Sequence, residues 1–242
     1  NDTELLLADI FWPGPLTLIL RKKQNSNISS LISNNTDFVG CRIPNNKLAL
    51  KLISSLRFPI AAPSANIASK TSVTEINDLH PMFRKKIFFI DDGASVLGLE
   101  STVIRVINNE VRILRLGSLT EKGIRKKIKK IKIIVSGKNN LSPGNQNIHY
   151  APNKPLRMNV KLLKNSEALL NFGTNKLFSK IYNLNLSKKG NLNEASKNFF
   201  HYLHLLDNCD SDKIAVAPIP DIGLGKTIND RLKRAAKKSS KN

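Results

Sequence analysis

Short apolar runs alternate with polar stretches rich in Asn, Gly and Pro along the first half of the chain. Residues 16–20 are apolar, follow the breaker PGP, and predict a buried strand. The segment DFVGCRIP predicts a second short strand that ends at Pro44. Apolar residues at helical spacing predict a helix over residues 47–56. Strands and helices in this order predict an α/β fold.

Four further strands and one helix are predicted between residues 58 and 130. Residues 58–62 and the segment KKIFFIDDG are apolar runs bounded by turn formers, a pattern typical of strands. The segment STVIRVINNEVRILRLG predicts a hairpin with Asn108 and Asn109 at its turn. Ser118 and Glu121 have the spacing of a capping box, which predicts a helix up to residue 130. These elements predict a first α/β domain, residues 1–136, with a mixed sheet.

A loop of small hydroxyl and amide side chains follows the predicted strand at residues 58–62, in the stretch PIAAPSANIASKTSVT. Taken alone, this stretch favours a surface turn, because Ser, Asn and Pro are turn formers. The alternative is a loop whose backbone comes close to a polar ligand.

The composition changes at residues 137–157, which are rich in Gly, Pro and Asn and predict a linker. Beyond it, the pattern predicts a helix over residues 192–206 and a strand in KIAVAPIP. A cationic helix is predicted over residues 228–236, with Thr227 as its N-cap. This order predicts a second, smaller α/β domain, residues 158–242.

The net charge and the small number of cysteines restrict the classes of protein to which the chain can belong. The 242 residues include 39 Lys and Arg against 18 Asp and Glu, a formal net charge of +21 that favours an anionic ligand or weak, non-specific RNA binding. The abundance of Lys, Asn and Ile is also what an AT-rich genome produces. Only Cys41 and Cys209 occur, which argues against a disulfide framework or a structural zinc site and favours a cytoplasmic protein. No apolar run reaches the roughly 20 residues of a membrane span.

Three short patterns predict no site on their own. The segment GLGKT resembles a phosphate-binding loop but lacks the required first glycine, whose place Pro220 takes. His201 and His204 lie three residues apart on a predicted helix without a Glu or Cys at metal-ligand spacing, so a solvated or packed pair is expected. The Lys-rich run at residues 125–132 is expected to be a solvated helix face, with an RNA-facing patch as the alternative.

Four segments occur together in one order: FWPGPLTLIL, then CRIP followed by PIAAPSAN, then GLESTVIRV with ILRLG, then LSPG and HYAP. Together they resemble the YrdC-like family of threonylcarbamoyl-AMP synthases, and IPDIGLGKTINDRLKRAA resembles the C-terminal domain of its two-domain form. The resemblance implies a YrdC-like twisted mixed sheet with helices, a smaller C-terminal Rossmann-like α/β domain, and a linker at residues 137–157 that closes over the active site.

The implied enzyme is a nucleotidyltransferase that joins L-threonine, bicarbonate and ATP into threonylcarbamoyl-adenylate and releases pyrophosphate. Partner proteins of this enzyme use its product to make the N6-threonylcarbamoyladenosine that stands beside the anticodon of tRNA. Such a reaction needs positioning and charge stabilisation and no protein nucleophile, so no catalytic residue and no metal ligand is expected from the chain. The resemblance implies that threonine is bound by Arg42, Ala62 and Ser101.

The ATP-binding residues implied by the resemblance are Ser64, Asn66, Ser72, Arg115, His149 and Tyr150. Small polar side chains let the loop at residues 64–72 approach a phosphate group, and Arg115 would stabilise the leaving pyrophosphate. His149 and Tyr150 match the linker segment that closes over the site. Mg²⁺ is expected with the triphosphate, held mainly by phosphate oxygens and water.

The chain departs from the family pattern in two places. Phe38 stands where the family usually has a threonine, so one hydroxyl contact to ATP is expected to be lost. The family also begins upstream of FWPGPLT with a segment whose Lys and Arg bind ATP, so the chain is expected to be a fragment, or a decayed or split version, of a longer enzyme. The alternative function is a non-catalytic RNA-binding module or an inactive fragment.

Overall fold

The computed structural model describes residues 1–136 and 150–237, which form two compact units. The first unit comprises residues 1–63 and 100–136, and the second comprises residues 64–99 and 150–237. Most of the predicted linker, residues 137–149, lies outside the described residues, so the predicted domain boundaries stay a prediction.

The first unit is built on a five-stranded mixed sheet with the strand order β2-β1-β3-β4-β5. β1 runs parallel to β3 and β4 parallel to β5, whereas the pairs β1–β2 and β3–β4 are antiparallel. Its elements, numbered along the whole chain, are α1 (Asp2–Phe11), β1 (Leu16–Arg21), β2 (Phe38–Cys41), α2 (Lys47–Ser55), β3 (Thr102–Ile107), β4 (Glu110–Arg115), α4 (Glu121–Lys127) and β5 (Ile133–Val135).

The two faces of this sheet differ in how they are covered. Alternate residues of a strand point to opposite faces. One face packs on α1 and α4 in a buried cluster that includes Leu7, Leu16, Leu18, Ile104, Ile113 and Ile124. The other face carries a small buried cluster formed by Ile19, Val103 and Leu114.

The predicted hairpin is confirmed. β3 and β4 pair antiparallel, with Asn108 and Asn109 between them at φ values of 49° and 59°. Two consecutive residues with positive φ form the type I′ turn that matches the twist of a hairpin, and Asn tolerates that conformation well.

The second unit contains a four-stranded, fully parallel sheet with the order β6-β9-β7-β8. All five residues of β7 are buried, as expected for a parallel strand covered on both faces. The elements of this unit are a 3₁₀ turn (Ile76–Asp78), α3 (Pro81–Arg84), β6 (Leu156–Arg157), β7 (Glu167–Asn171), β8 (Asn183–Asn185), α5 (Leu192–Asn208), β9 (Lys213–Val216) and α6 (Leu224–Ala236). The mixed sheet and the second parallel sheet confirm the predicted fold class.

Two predicted strands are wrong. Residues 58–62 and residues 85–93 have no regular strand structure, and Phe58 and Phe88 are largely exposed. An apolar run predicts burial, but a strand forms only where a neighbour accepts and donates its backbone hydrogen bonds. Among residues 1–136 and 150–237, no strand pairs with either segment.

Two predicted helix caps are also wrong. Thr120, and not Ser118, caps α4 through its contact with the Gly123 amide, because the backbone amide and the hydroxyl of Ser118 both donate to the Glu100 carbonyl. α6 begins at Leu224, since the chain turns at Gly223 with a φ of 50°, and Thr227 is buried inside the helix. None of the helices in the described ranges has the length and apolar character that a membrane span requires.

Candidate active site

Polar residues of the first unit meet at one end of its sheet. Because β1 and β3 run antiparallel to β2 and β4, the first two strands begin where the other two end. Thr17 and Ser101 lie at strand beginnings, and Arg42 and Arg115 lie at strand ends. The topology therefore collects two hydroxyl groups and two guanidinium groups at one place, although they come from distant parts of the chain.

Ser101 is the buried centre of this group. Its Oγ lies 2.7 Å from the Oγ1 of Thr17. A terminal nitrogen of Arg115 donates to the Ser101 carbonyl oxygen at 2.9 Å and lies 3.3 Å from its Oγ. Gly117 permits this close approach, because a Cβ at that position would stand 2.4 Å from the Ser101 carbonyl carbon. Ser101 and Arg115 are thus held in a fixed relation.

Arg42 is positioned by the backbone of the segment that precedes β1. Its Nε donates to the Gly14 carbonyl oxygen at 2.9 Å. Burial, followed by the positive charge of Arg115, lowers the pKa of the Arg42 guanidinium. Two guanidinium groups close enough to disfavour each other's charge form a site that favours a carboxylate or phosphate.

The structure thus brings together Arg42, Ser101 and Arg115, three of the residues implied by the resemblance. Ala62 lies in an exposed irregular segment of the same unit. Thr17 was missed from the sequence because it lies within an apolar run. The signal that marks it is its hydroxyl between two buried leucines, which places it on the sheet face opposite to theirs.

The loop at residues 64–72 belongs to the second unit. Ser64 is exposed, and the side-chain amide of Asn66 donates to the carbonyl oxygens of Ile67 at 2.9 Å and Lys70 at 3.1 Å. Asn66 therefore shapes the loop from within. The carbonyl oxygen of Ser72 lies 3.1 Å from Nε2 of His204 on α5, which holds the end of the loop.

Tyr150 is buried in the second unit, and His149 lies outside the described residues. The Tyr150 ring packs 5.8 Å from the ring of Phe200, and the Arg231 guanidinium carbon lies 4.6 Å from its centroid. The following residue, Ala151, donates its amide to the Ser69 carbonyl oxygen at 3.0 Å. Tyr150 and Ala151 thus place the last part of the predicted linker next to the loop at residues 64–72.

Two family models together match nearly the whole chain. One, described as "Telomere recombination", matches residues 1–117, and the other, described as "Threonylcarbamoyl-AMP synthase, C-terminal domain", matches residues 116–237.

Several curated proteins and solved structures are similar to the chain. The threonylcarbamoyl-AMP synthase of Pyrococcus abyssi is 34% identical over 96% of this chain and 73% of its own length. The Bacillus subtilis protein of the same name is 30% identical over 93% of this chain and 70% of its own length. The crystal structure of P. abyssi Sua5 complexed with L-threonine superimposes with a TM-score of 0.85 at 30% identity, covering 98% of this chain and 74% of that one.

Proposed function

The chain belongs to the threonylcarbamoyl-AMP synthase family, and we propose that it forms threonylcarbamoyl-AMP from L-threonine, bicarbonate and ATP. The pair of guanidinium groups beside the Ser101 and Thr17 hydroxyls is the observation that supports this proposal within the chain itself. The product would pass to partner proteins that modify the adenosine beside the anticodon of tRNA.

Bicarbonate first loses hydroxide and gives carbon dioxide. The threonine amine then adds to this carbon dioxide and releases a proton, which gives a carbamate, and the hydroxide and the proton combine to water. A carbamate oxygen then attacks the α-phosphorus of ATP, and the bond to the departing pyrophosphate breaks. The protein contributes orientation and positive charge, as in other phosphoryl transfers.

Arg42 and Ser101 would bind threonine. A guanidinium group offers a carboxylate two parallel N–H donors, and the Nε contact of Arg42 to Gly14 fixes the direction of that fork. The hydroxyl of Ser101, supported by Thr17, would donate to or accept from the amino acid. In this proposal Ala62 contributes a backbone contact to threonine.

Arg115 and the loop at residues 64–72 would bind ATP. The guanidinium of Arg115 would stabilise the negative charge that develops on pyrophosphate. Ser64, Asn66, Ser72, His149 and Tyr150 are the residues that this proposal assigns to the remaining ATP contacts. Mg²⁺ would enter with ATP, held by phosphate oxygens and water, since the residues gathered around Ser101 are cationic or neutral.

A direct assay tests the proposed function. The full-length protein is expected to release pyrophosphate only when L-threonine, bicarbonate and ATP are all present. Mass spectrometry should then detect an adenylate that carries both the threonyl and the carbamoyl group. Pyrophosphate release that does not depend on threonine would contradict the proposed function. Salt-insensitive and sequence-selective tRNA binding without any pyrophosphate release would also contradict it, and would favour an RNA-binding module.

Replacing Arg42 with alanine is expected to weaken threonine binding by about 30- to 200-fold, which is the loss of one charge-assisted bidentate contact of roughly 2–3 kcal/mol. ATP binding should change far less, because the fork of Arg42 is assigned to the amino acid. Calorimetric titration of the full-length protein with each ligand measures the two effects separately.

Arg112→Ala is the matched control for this experiment. Arg112 lies on β4 of the same sheet and forms an ion pair with Glu110 at 3.5 Å, next to the hairpin turn. Its replacement is expected to leave threonine affinity unchanged. Equal losses of threonine and ATP affinity in Arg42→Ala would mean that Arg42 supports the fold instead of the amino acid.

A further inference from the structure

One face of α5 contacts the segment that follows the loop at residues 64–72. His201 and His204 share this face because residues three apart on a helix are neighbours. The Nδ1 of His201 lies 2.7 Å from an oxygen of Glu75 and 3.1 Å from an oxygen of Asp78. The two histidines each meet a different part of the segment at residues 72–78.

Glu75 and Asp78 face His201 together for a local reason. Glu75 immediately precedes the 3₁₀ turn, and Asp78 is its last residue. Residues i and i+3 of such a turn eclipse each other. Thr74 donates to the second carboxylate oxygen of Asp78 from its hydroxyl at 3.1 Å and from its amide at 3.4 Å. The remaining oxygen of Asp78 is thereby directed toward Glu75 and His201.

Two carboxylate groups meet one imidazole ring at this place. The carboxylate of Asp78 is only 3% exposed, and that of Glu75 is 26% exposed. A neutral imidazole has a single N–H to offer at Nδ1, which is too little for two carboxylates. No Lys or Arg in residues 1–136 and 150–237 forms an ion pair with either carboxylate, so the carboxylates face the His201 ring and the Thr74 donors alone.

We propose that Glu75, Asp78 and His201 bind one divalent transition-metal ion of the Zn²⁺ class. The Nδ1 of His201 and one oxygen of each carboxylate lie within 4.8 Å of one another, so a single ion can contact all three atoms. Zn²⁺ accepts this mixture of imidazole and carboxylate ligands and leaves a fourth position for water. Mg²⁺ and Ca²⁺ prefer oxygen ligands alone, which makes an imidazole a poor choice for them.

The ion would fix the segment at residues 72–78 to α5. The Thr74 contacts to Asp78 are then the outer support that holds a metal ligand in orientation. This inference does not depend on the proposed enzymatic activity, since its test reads metal binding directly.

The test is a calorimetric titration of the chelator-treated, full-length protein with ZnCl₂, followed by Co²⁺ substitution and absorption spectroscopy. Wild type is expected to bind one Zn²⁺ per chain, and excess Mg²⁺ should not compete. His201→Gln and Glu75→Gln should each weaken binding by more than about 100-fold, because losing a direct ligand exceeds the roughly 10- to 100-fold cost of losing an outer partner.

His204→Gln is the matched control, since it alters the neighbouring histidine of the same helix face. Zn²⁺ affinity should be the same in this variant as in wild type. The proposal would be overturned if wild type did not bind Zn²⁺ stoichiometrically, or if Glu75→Gln left Zn²⁺ affinity unchanged. The three side chains would then form only a hydrogen-bonded contact. Glu75 is partly exposed, so Glu75→Gln keeps the test valid even if His201→Gln fails to fold.

Discussion

Replacing Arg115 with alanine is expected to lower kcat/KM for ATP by about 100- to 1,000-fold, the usual loss when one preorganised charge is removed from a site of developing negative charge. The backbone carbonyl of Ser101 holds the Arg115 guanidinium in place at 2.9 Å, so little reorganisation is needed when pyrophosphate departs. Steady-state pyrophosphate release at varied ATP concentration measures the effect.

Two further measurements separate the charge of Arg115 from its structural contact. Arg115→Lys keeps the charge but loses the planar fork, and it should recover part of the rate. Threonine affinity measured without ATP should fall less than tenfold in Arg115→Ala, because Arg42 is the residue assigned to the amino acid. If Arg115→Ala weakens threonine as strongly as Arg42→Ala does, Arg115 belongs to the threonine site and its assignment to ATP is wrong.

Replacing Arg157 with alanine is expected to lower the free energy of unfolding by about 3 kcal/mol at neutral pH, as breaking a buried ion pair does. The Glu167 carboxylate is fully buried at the start of β7, where the Arg157 nitrogens donate to both of its oxygens at 2.9 and 2.6 Å. The variant would leave that charge without its main partner. We take the lower end of the usual range because Arg157 itself is 39% exposed. Urea denaturation followed by circular dichroism measures the change.

The pH dependence of this pair has a definite sign. The Arg157 hydrogen bonds hold the pKa of Glu167 below its usual value, about 4.3 in the unfolded chain. The pair therefore stabilises the folded protein above that unfolded value, and this stability is lost as the pH falls toward the folded pKa. Wild type should lose more stability than Arg157→Ala on acidification through this window.

Arg112→Ala again serves as the control, because Arg112 is 38% exposed, nearly as much as Arg157, while its partner Glu110 is 25% exposed. An ion pair in contact with water contributes little, so this variant should unfold nearly as wild type does. Adding Glu167→Gln to Arg157→Ala should restore stability by removing the buried charge. A loss in Arg157→Ala no larger than in Arg112→Ala would show that water already satisfies Glu167.

The fold was predictable wherever a local pattern was sufficient. Asn108 and Asn109 between two alternating runs specify the hairpin, because the turn and both strands lie within one short segment. The apolar residues around Phe88 were predicted as a strand and form none, since pairing depends on a neighbour that the local sequence does not contain. Thr120 competed with Ser118 for the same helix end, and a distant carbonyl at Glu100 decided between them.

The residues of the candidate site also divide into those that a local segment indicates and those that only a contact between distant residues reveals. Arg42 and Ser101 could be named as candidates because each lies in a short segment typical of the family. Thr17 lies within an apolar run, and its place in the candidate site follows from a hydrogen bond to a residue 84 positions away. The contact of His201 with Asp78 spans 123 positions, so spacing along α5 could not indicate it. Pairings of this length are set by the topology of the sheet and helices.

The hydrogen bond between Thr17 and Ser101 can form only after both residues have been synthesised. The 84 residues that separate them take about 4–17 s to synthesise at the usual rate of about 5–20 residues per second. Arg115 leaves the ribosome later still. Once residue 41 has been made, β1 has its antiparallel neighbour β2 but not yet its parallel neighbour β3, so one edge of β1 lacks the partner that it has in the folded protein. The nascent protein thus passes through a stage in which β1 and β2 are made but β3 and β4 are not, and the residues of the candidate site are not yet together.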